Sequence, residues 1–102
     1  MIDEKEVSKL LDQLDLQCDE RSRYIDLLSE IGELGKEILK ATRYGKVSFE
    51  NNDRIKEEYG DCLFSLLAMA FETDIDPEDA LNTVLEKYKK RYEKSGQIGS
   101  GT

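Results

Sequence analysis

Ser29-Glu30-Ile31-Gly32-Glu33-Leu34 and its later echo Glu58-Tyr59-Gly60-Asp61 decide how this chain is read. Both carry acid, apolar residue, glycine, acid in that order. Both lie inside segments whose apolar residues recur every three or four positions, the period of an α-helix. Neither element favours a helix. Glycine costs about 1 kcal/mol relative to alanine in a helix interior, and two acids three apart crowd like charge onto one patch of surface. Solvated surface charge explains one such pair. Its repetition on two helices points instead to four carboxylates that must lie close together, which is the requirement of a divalent-metal site.

Working outward, Tyr24, Leu27, Leu28, Ile31, Leu34 and Ile38 mark the buried stripe of a helix from about Arg21 to Arg43, with Asp19 as its N-cap. At about 100° per residue, Glu30, Glu33 and Glu37 fall together on one flank of that stripe. Ile55, Tyr59, Cys62, Leu63, Leu66 and Leu67 mark a helix from Asn52 or Asp53 to Thr73, and Glu58 and Asp61 occupy the matching flank. The glycines are expected to let these two helices approach. From Cys62 to Phe71 the segment is apolar almost all round, so it should be buried on more than one side, the second side being supplied by another subunit.

Two further helices complete the pattern. One runs from about Asp3 to Gln17, with Val7, Leu10, Leu11 and Leu14 on one face. The other is announced by Asp76-Pro77-Glu78-Asp79: a capping aspartate, proline at the first helical position, and acids in the first turn. It carries Leu81, Val84, Leu85, Tyr88 and Tyr92 as its stripe. Tyrosines 24, 59, 88 and 92 read as core residues at this spacing. Between the second and third helices, Val47 and Phe49 in a polar linker are expected to dock or to form a short strand-like piece. The glycine- and serine-rich end, residues 95–102, reads as a flexible tail.

The chain has 102 residues, enough for one small domain, here residues 1–94. Its net charge of −8 argues against nucleic-acid or anionic-membrane partners. No apolar run approaches the roughly 20 residues needed to span a bilayer, and the acidic N-terminus does not resemble a secretory signal; a cytoplasmic location is expected. The absence of histidine removes imidazole acid–base chemistry and the usual zinc sites. Cys18 and Cys62 lack a metal-ligand spacing, and Cys62 reads as a small core residue.

All-carboxylate ligation by Glu30, Glu33, Glu58 and Asp61 suits a hard cation, Mg²⁺ first and Mn²⁺ second, because Mg²⁺ is held by a few carboxylates together with substrate phosphates. Glu37 reads as a further ligand, a group supporting the ligands, or a surface partner of Lys40 or Lys36. Glu57 should face solvent. Lys87 and Arg91, four apart on the fourth helix, read either as a solvated basic face or as neutralisers of phosphate charge opposite the metal.

Glu30-x-x-Glu33, Glu58-x-x-Asp61-Cys62-Leu63-Phe64 and Glu86-Lys87-Tyr88-Lys89-Lys90-Arg91-Tyr92, in that order, resemble the MazG-like branch of the all-α nucleoside triphosphate pyrophosphohydrolases. The resemblance runs from about Tyr24 to Tyr92. It lacks a tryptophan that lies near the nucleotide in some relatives. It implies an all-α, four-helix bundle-like protomer assembling as a homodimer or homotetramer. It also implies Mg²⁺-dependent hydrolysis of a nucleoside triphosphate to the monophosphate and pyrophosphate, in the removal of surplus or non-canonical nucleotides. Glu30, Glu33, Glu58 and Asp61 would then hold the metal and carry catalysis, with Lys87 and Arg91 on the phosphates. The alternatives are a relative acting on deoxyuridine nucleotides or phosphoribosyl-ATP, and a non-catalytic helical oligomerisation or regulatory module.

Overall fold

The computed structural model describes residues 2–95 and contains four helices: α1 (Glu4–Gln13), α2 (Glu20–Ala41), α3 (Asp53–Glu72) and α4 (Pro77–Ser95). Among the described residues there is no strand. The tail expected over residues 95–102 falls, apart from Ser95, outside the described residues.

The helix starts follow from local chemistry. Four amides at each helix N-terminus lack intrahelical acceptors, and a short polar side chain at the cap supplies one. Asp3 accepts from the amide of Lys5, Asp19 from Ser22 at 2.8 Å, and Asn52 from Ile55 at 2.9 Å. Asp76 accepts from both Glu78 and Asp79, the two residues that follow Pro77 at the first helical position. Asn52, not Asp53, is therefore the cap of α3.

The helix ends were less legible. α1, α2 and α3 each close with a left-handed residue that is not glycine: Asp15, Arg43 and Asp74, at φ of 52°, 48° and 58°. The next amide then reaches back to a carbonyl inside the helix, Leu16 to Leu11, Tyr44 to Leu39, and Ile75 to Ala70. These are Schellman closures, which favour glycine at the left-handed position. The closure at Asp15 ends α1 at Gln13, four residues short of its expected end at Gln17. Val47 and Phe49 neither form a strand nor dock; both are exposed in the α2–α3 connection.

Extensive packing is confined to α2 on α3 and α1 on α3. Leu11, nearly inaccessible, seats α1. α4 leaves the group after Pro77 and makes at most slight contact with the other helices, so the four do not close into a bundle within one chain. The dimensions agree: the radius of gyration is 16.7 Å, against about 13 Å for a compact chain of this length. The accessible surface of 8157 Å² exceeds the roughly 5,900 Å² of a compact monomer of this mass.

The buried stripe of α2 is also not the expected one. Leu27 is buried and Leu34 half-buried, but Tyr24, Leu28, Ile31 and Ile38 are exposed. Tyr59, Tyr88 and Tyr92 are exposed as well, so none of the four tyrosines is a core residue of the single chain. Instead α2 turns toward α3 a face that includes Arg23, Leu27, Glu30, Leu34 and Glu37, a set in which charged and apolar residues alternate.

Candidate metal centre

The polar face of α2 meets a polar face of α3 in antiparallel order. At one end Arg23 donates from Nε to Glu72 Oε1 at 2.9 Å and from Nη2 to Glu72 Oε2 at 3.1 Å. A further Nη2 bond of 2.7 Å goes to the carbonyl of Leu16, tying the α1–α2 connection to the same pair. One turn along, Ser65 Oγ donates to Asp26 Oδ2 at 2.8 Å. At the far end Glu37 accepts from Arg54 Nε at 3.2 Å and from Lys40 Nζ at 3.3 Å.

Between these pairs lie the carboxylates picked out by the two acid-glycine motifs. Glu30, Glu58 and Asp61 each present an oxygen within 4.8 Å of the others. Glu30 and Glu58 are half-buried and Asp61 is exposed, so the cluster opens to solvent on one side. Glu33 is exposed and stands outside this group of three, although its charge is felt by both Glu30 and Glu58. Helical period alone places Glu30, Glu33 and Glu37 on a common flank. In the folded chain Glu30 and Glu37 enter the seam while Glu33 stays at its edge.

The electrostatics of the cluster are those of a site short of positive charge. Burial, then the charges of Asp61, Asp26, Glu58 and Glu33, push the Glu30 carboxyl above its ordinary range. Burial, then Asp61, Glu33, Glu37 and Glu57, do the same for Glu58. Glu58 Oε2 is shielded from solvent and has no hydrogen-bond partner among the described residues, an arrangement that costs free energy unless something binds the oxygen. The donor set, oxygen only and short of positive charge, fits a hard divalent cation. Cys62 lies alongside, half-buried; burial and the charges of Glu30, Asp61 and Glu58 raise its thiol pKa and keep it neutral.

Glu37 belongs to a different environment. Burial alone would raise its pKa, but the hydrogen bonds from Lys40 and Arg54 outweigh that and hold it below the ordinary range. It is thus an ionised, partnered residue behind the cluster. Glu57 faces solvent as expected. Lys87 and Arg91 lie on α4, outside the α2–α3 seam; the Lys87 ammonium sits 5.2 Å from the ring centroid of Tyr88.

The glycines do not act as expected. A Cβ added at Gly32 or Gly60 would meet nothing within 4 Å, so neither is a point of close helix approach within the chain. What draws α2 and α3 together is the row of small or paired groups between them, Ser65 and Ala68 among them. Reading the sequence by apolar periodicity missed Arg23, Asp26, Arg54, Ser65 and Glu72. A signal for them exists: Arg23, Glu30 and Glu37 are evenly spaced every seven residues, as are Glu58, Ser65 and Glu72, the repeat of two helices running side by side.

No solved structure matches the chain. The uncharacterized protein YpjD of Bacillus subtilis (strain 168) is 38% identical over 68 residues, covering 64% of this chain. The match spans 60% of that relative's length. The family model for the MazG nucleotide pyrophosphohydrolase domain matches residues 20–95, which include α2, the carboxylate cluster and α3 through the end of α4. On that match, the chain belongs to the MazG nucleotide pyrophosphohydrolase domain family.

Proposed function

We propose that this chain is a Mg²⁺-dependent hydrolase that converts a nucleoside triphosphate to the monophosphate and pyrophosphate, clearing surplus or non-canonical nucleotides in the cytoplasm. The observation that carries this reading is the convergence of Glu30, Glu58 and Asp61 around a shielded, unpartnered Glu58 Oε2. Carboxylates so placed repel one another unless a cation neutralises them. Glu30, Glu58 and Asp61 would hold the ion, with Glu33 completing the set from the edge of the seam. When bound, Mg²⁺ (Mn²⁺ as substitute) supplies charge for the phosphate oxygens and lowers the pKa of a water.

The remaining steps belong to the chain's own residues. A carboxylate of the cluster takes the proton from the attacking water, and Lys87 and Arg91 offset charge on the phosphates as the bond breaks. The open side of the cluster, at Asp61, admits the triphosphate. We further propose that the working form is a homodimer or homotetramer. The exposed Tyr24, Leu28, Ile31 and Ile38 of α2 and the loosely held α4 support this, since a small protomer with such uncovered apolar area gains by pairing. Residues 1–94 act as one unit in that assembly.

The test is pyrophosphate release across a panel of ribo- and deoxyribonucleoside triphosphates, with Mg²⁺, with chelator, and with Glu58→Gln. Turnover abolished by chelator and by the variant is expected. Release that ignores both would overturn the metal mechanism, and no release from any nucleotide would overturn the activity.

A further inference from the structure

Arg54 lies four residues before Glu58 on α3, a spacing that places the two side chains on the same face, one turn apart. The pairing is not made. Among the described residues Glu58 Oε2 has no hydrogen-bond partner, although Arg54 stands four positions before it in the helix. Arg54 instead crosses to α2 and donates from Nε to Glu37 Oε1. The Glu37 side chain is 8% exposed, whereas that of Arg54 is 72% exposed. Glu37 is thus the fixed member of the pair and Arg54 the member free to swing.

We propose that Glu37 is a positioning residue that holds Arg54 away from Glu58 and so keeps the Glu58 carboxylate open to a metal ion. The proposal rests on the metal-centre reading above. With Glu37 neutralised, Glu58, four residues on along the same helix, is an acceptor to which Arg54 can turn. A guanidinium there would occupy the oxygens that the cation needs, because a charge-assisted pair of this kind is the stronger sort of hydrogen bond. Groups placed behind metal ligands in this way affect metal affinity about 10- to 100-fold. The sign of each substitution separates this role from two others. If Arg54 acted only through its charge, removing it or removing Glu37 would shift affinity by simple attraction and repulsion, with additive effects. If Glu37 were itself a ligand, its loss would weaken binding whatever stood at position 54.

The experiment titrates the full chain with Mn²⁺ alone and reads free Mn²⁺ by electron paramagnetic resonance. Affinity is referred to the folded fraction measured by circular dichroism. Glu37→Gln is expected to weaken Mn²⁺ binding at least about 10-fold. Arg54→Gln should bind as tightly as the wild type or more tightly, and Glu37→Gln with Arg54→Gln together should return to the Arg54→Gln value. The proposal is overturned if Glu37→Gln stays within about twofold of the wild type, the spread of independent small effects. It is equally overturned if the double variant remains as weak as Glu37→Gln, or if the wild type binds no Mn²⁺. A wild type that binds Mn²⁺ but releases no pyrophosphate defeats the hydrolase reading alone and leaves these variants to decide the role of Glu37.

Discussion

Replacing Arg23 by methionine tests the packing account most severely. Arg23 is the polar keystone of the α2–α3 seam. It makes two parallel bonds to Glu72, of 2.9 and 3.1 Å, and a third, of 2.7 Å, to the carbonyl of Leu16, with both charged side chains 8% exposed. Arg23→Met keeps an unbranched apolar stem but leaves Glu72 shielded with only the amide of Cys18 as donor. Removing one partner of a buried ion pair costs about 3–5 kcal/mol, because the remaining charge is stranded. At about 4–8 °C per kcal/mol for a domain of this size, the midpoint should fall by roughly 12–40 °C. The assay is thermal unfolding followed by circular dichroism at fixed protein concentration, since assembly would make the midpoint concentration-dependent. The control is Arg23→Met with Glu72→Met. Replacing both charges with apolar groups is often neutral or stabilising, so this variant should regain most of the loss. A single variant that costs less than about 1 kcal/mol, the worth of an exposed pair, would refute the claim that this pair holds the seam. A double variant no better than the single would refute the stranded charge as the cause.

Two other outcomes follow from the same geometry. Because the Glu30 and Glu58 carboxyls are raised by burial and by their acidic neighbours, the folded chain binds protons more tightly than the unfolded one at these positions. The metal-free chain therefore loses their contribution as pH rises from the ordinary glutamate range through the raised values. Glu37, held low by Lys40 and Arg54 against its burial, acts in the opposite sense, its contribution being lost as pH falls through its lowered value. Mg²⁺ should consequently raise the melting temperature more at about pH 7.5 than at about pH 5, where protons occupy the same oxygens; an equal rise at both would reject the carboxylates as the binding groups. Gly32→Ala and Gly60→Ala should each stabilise the chain by about 1 kcal/mol, since a Cβ meets open space at both positions. Scattering-detected size exclusion checks the assembly in parallel, and a loss of stability or of oligomer would show that these glycines serve an approach between subunits.

The acid-glycine motifs, the four helices and the caps at Asp19 and Asp76 were legible in the linear chain, and the cap of α3 was narrowed to Asn52 or Asp53, because each depends on residues a few positions apart. A cap is a side chain meeting an amide two or three residues on, as Asn52 meets Ile55, and helical period needs no knowledge of what lies opposite. The C-terminal closures at Asp15, Arg43 and Asp74 escaped notice because the residue at the left-handed position is not the glycine that usually marks it. The sequence by itself therefore determined an all-helical chain and brought Glu30, Glu58 and Asp61 forward as candidates. Only the tertiary structure decided which face of α2 meets α3. Apolar content favours the stripe through Tyr24, Leu28, Ile31 and Ile38, yet those residues are exposed and the face holding Arg23, Glu30 and Glu37 is turned inward. A charged residue can enter a helix interface only when its counterpart stands across from it. Glu72 opposite Arg23 and Arg54 opposite Glu37 are pairs between residues far apart in the chain, which no local pattern can supply. Glu58 is the exception, a carboxylate carried into the seam with one shielded oxygen that no donor among the described residues meets.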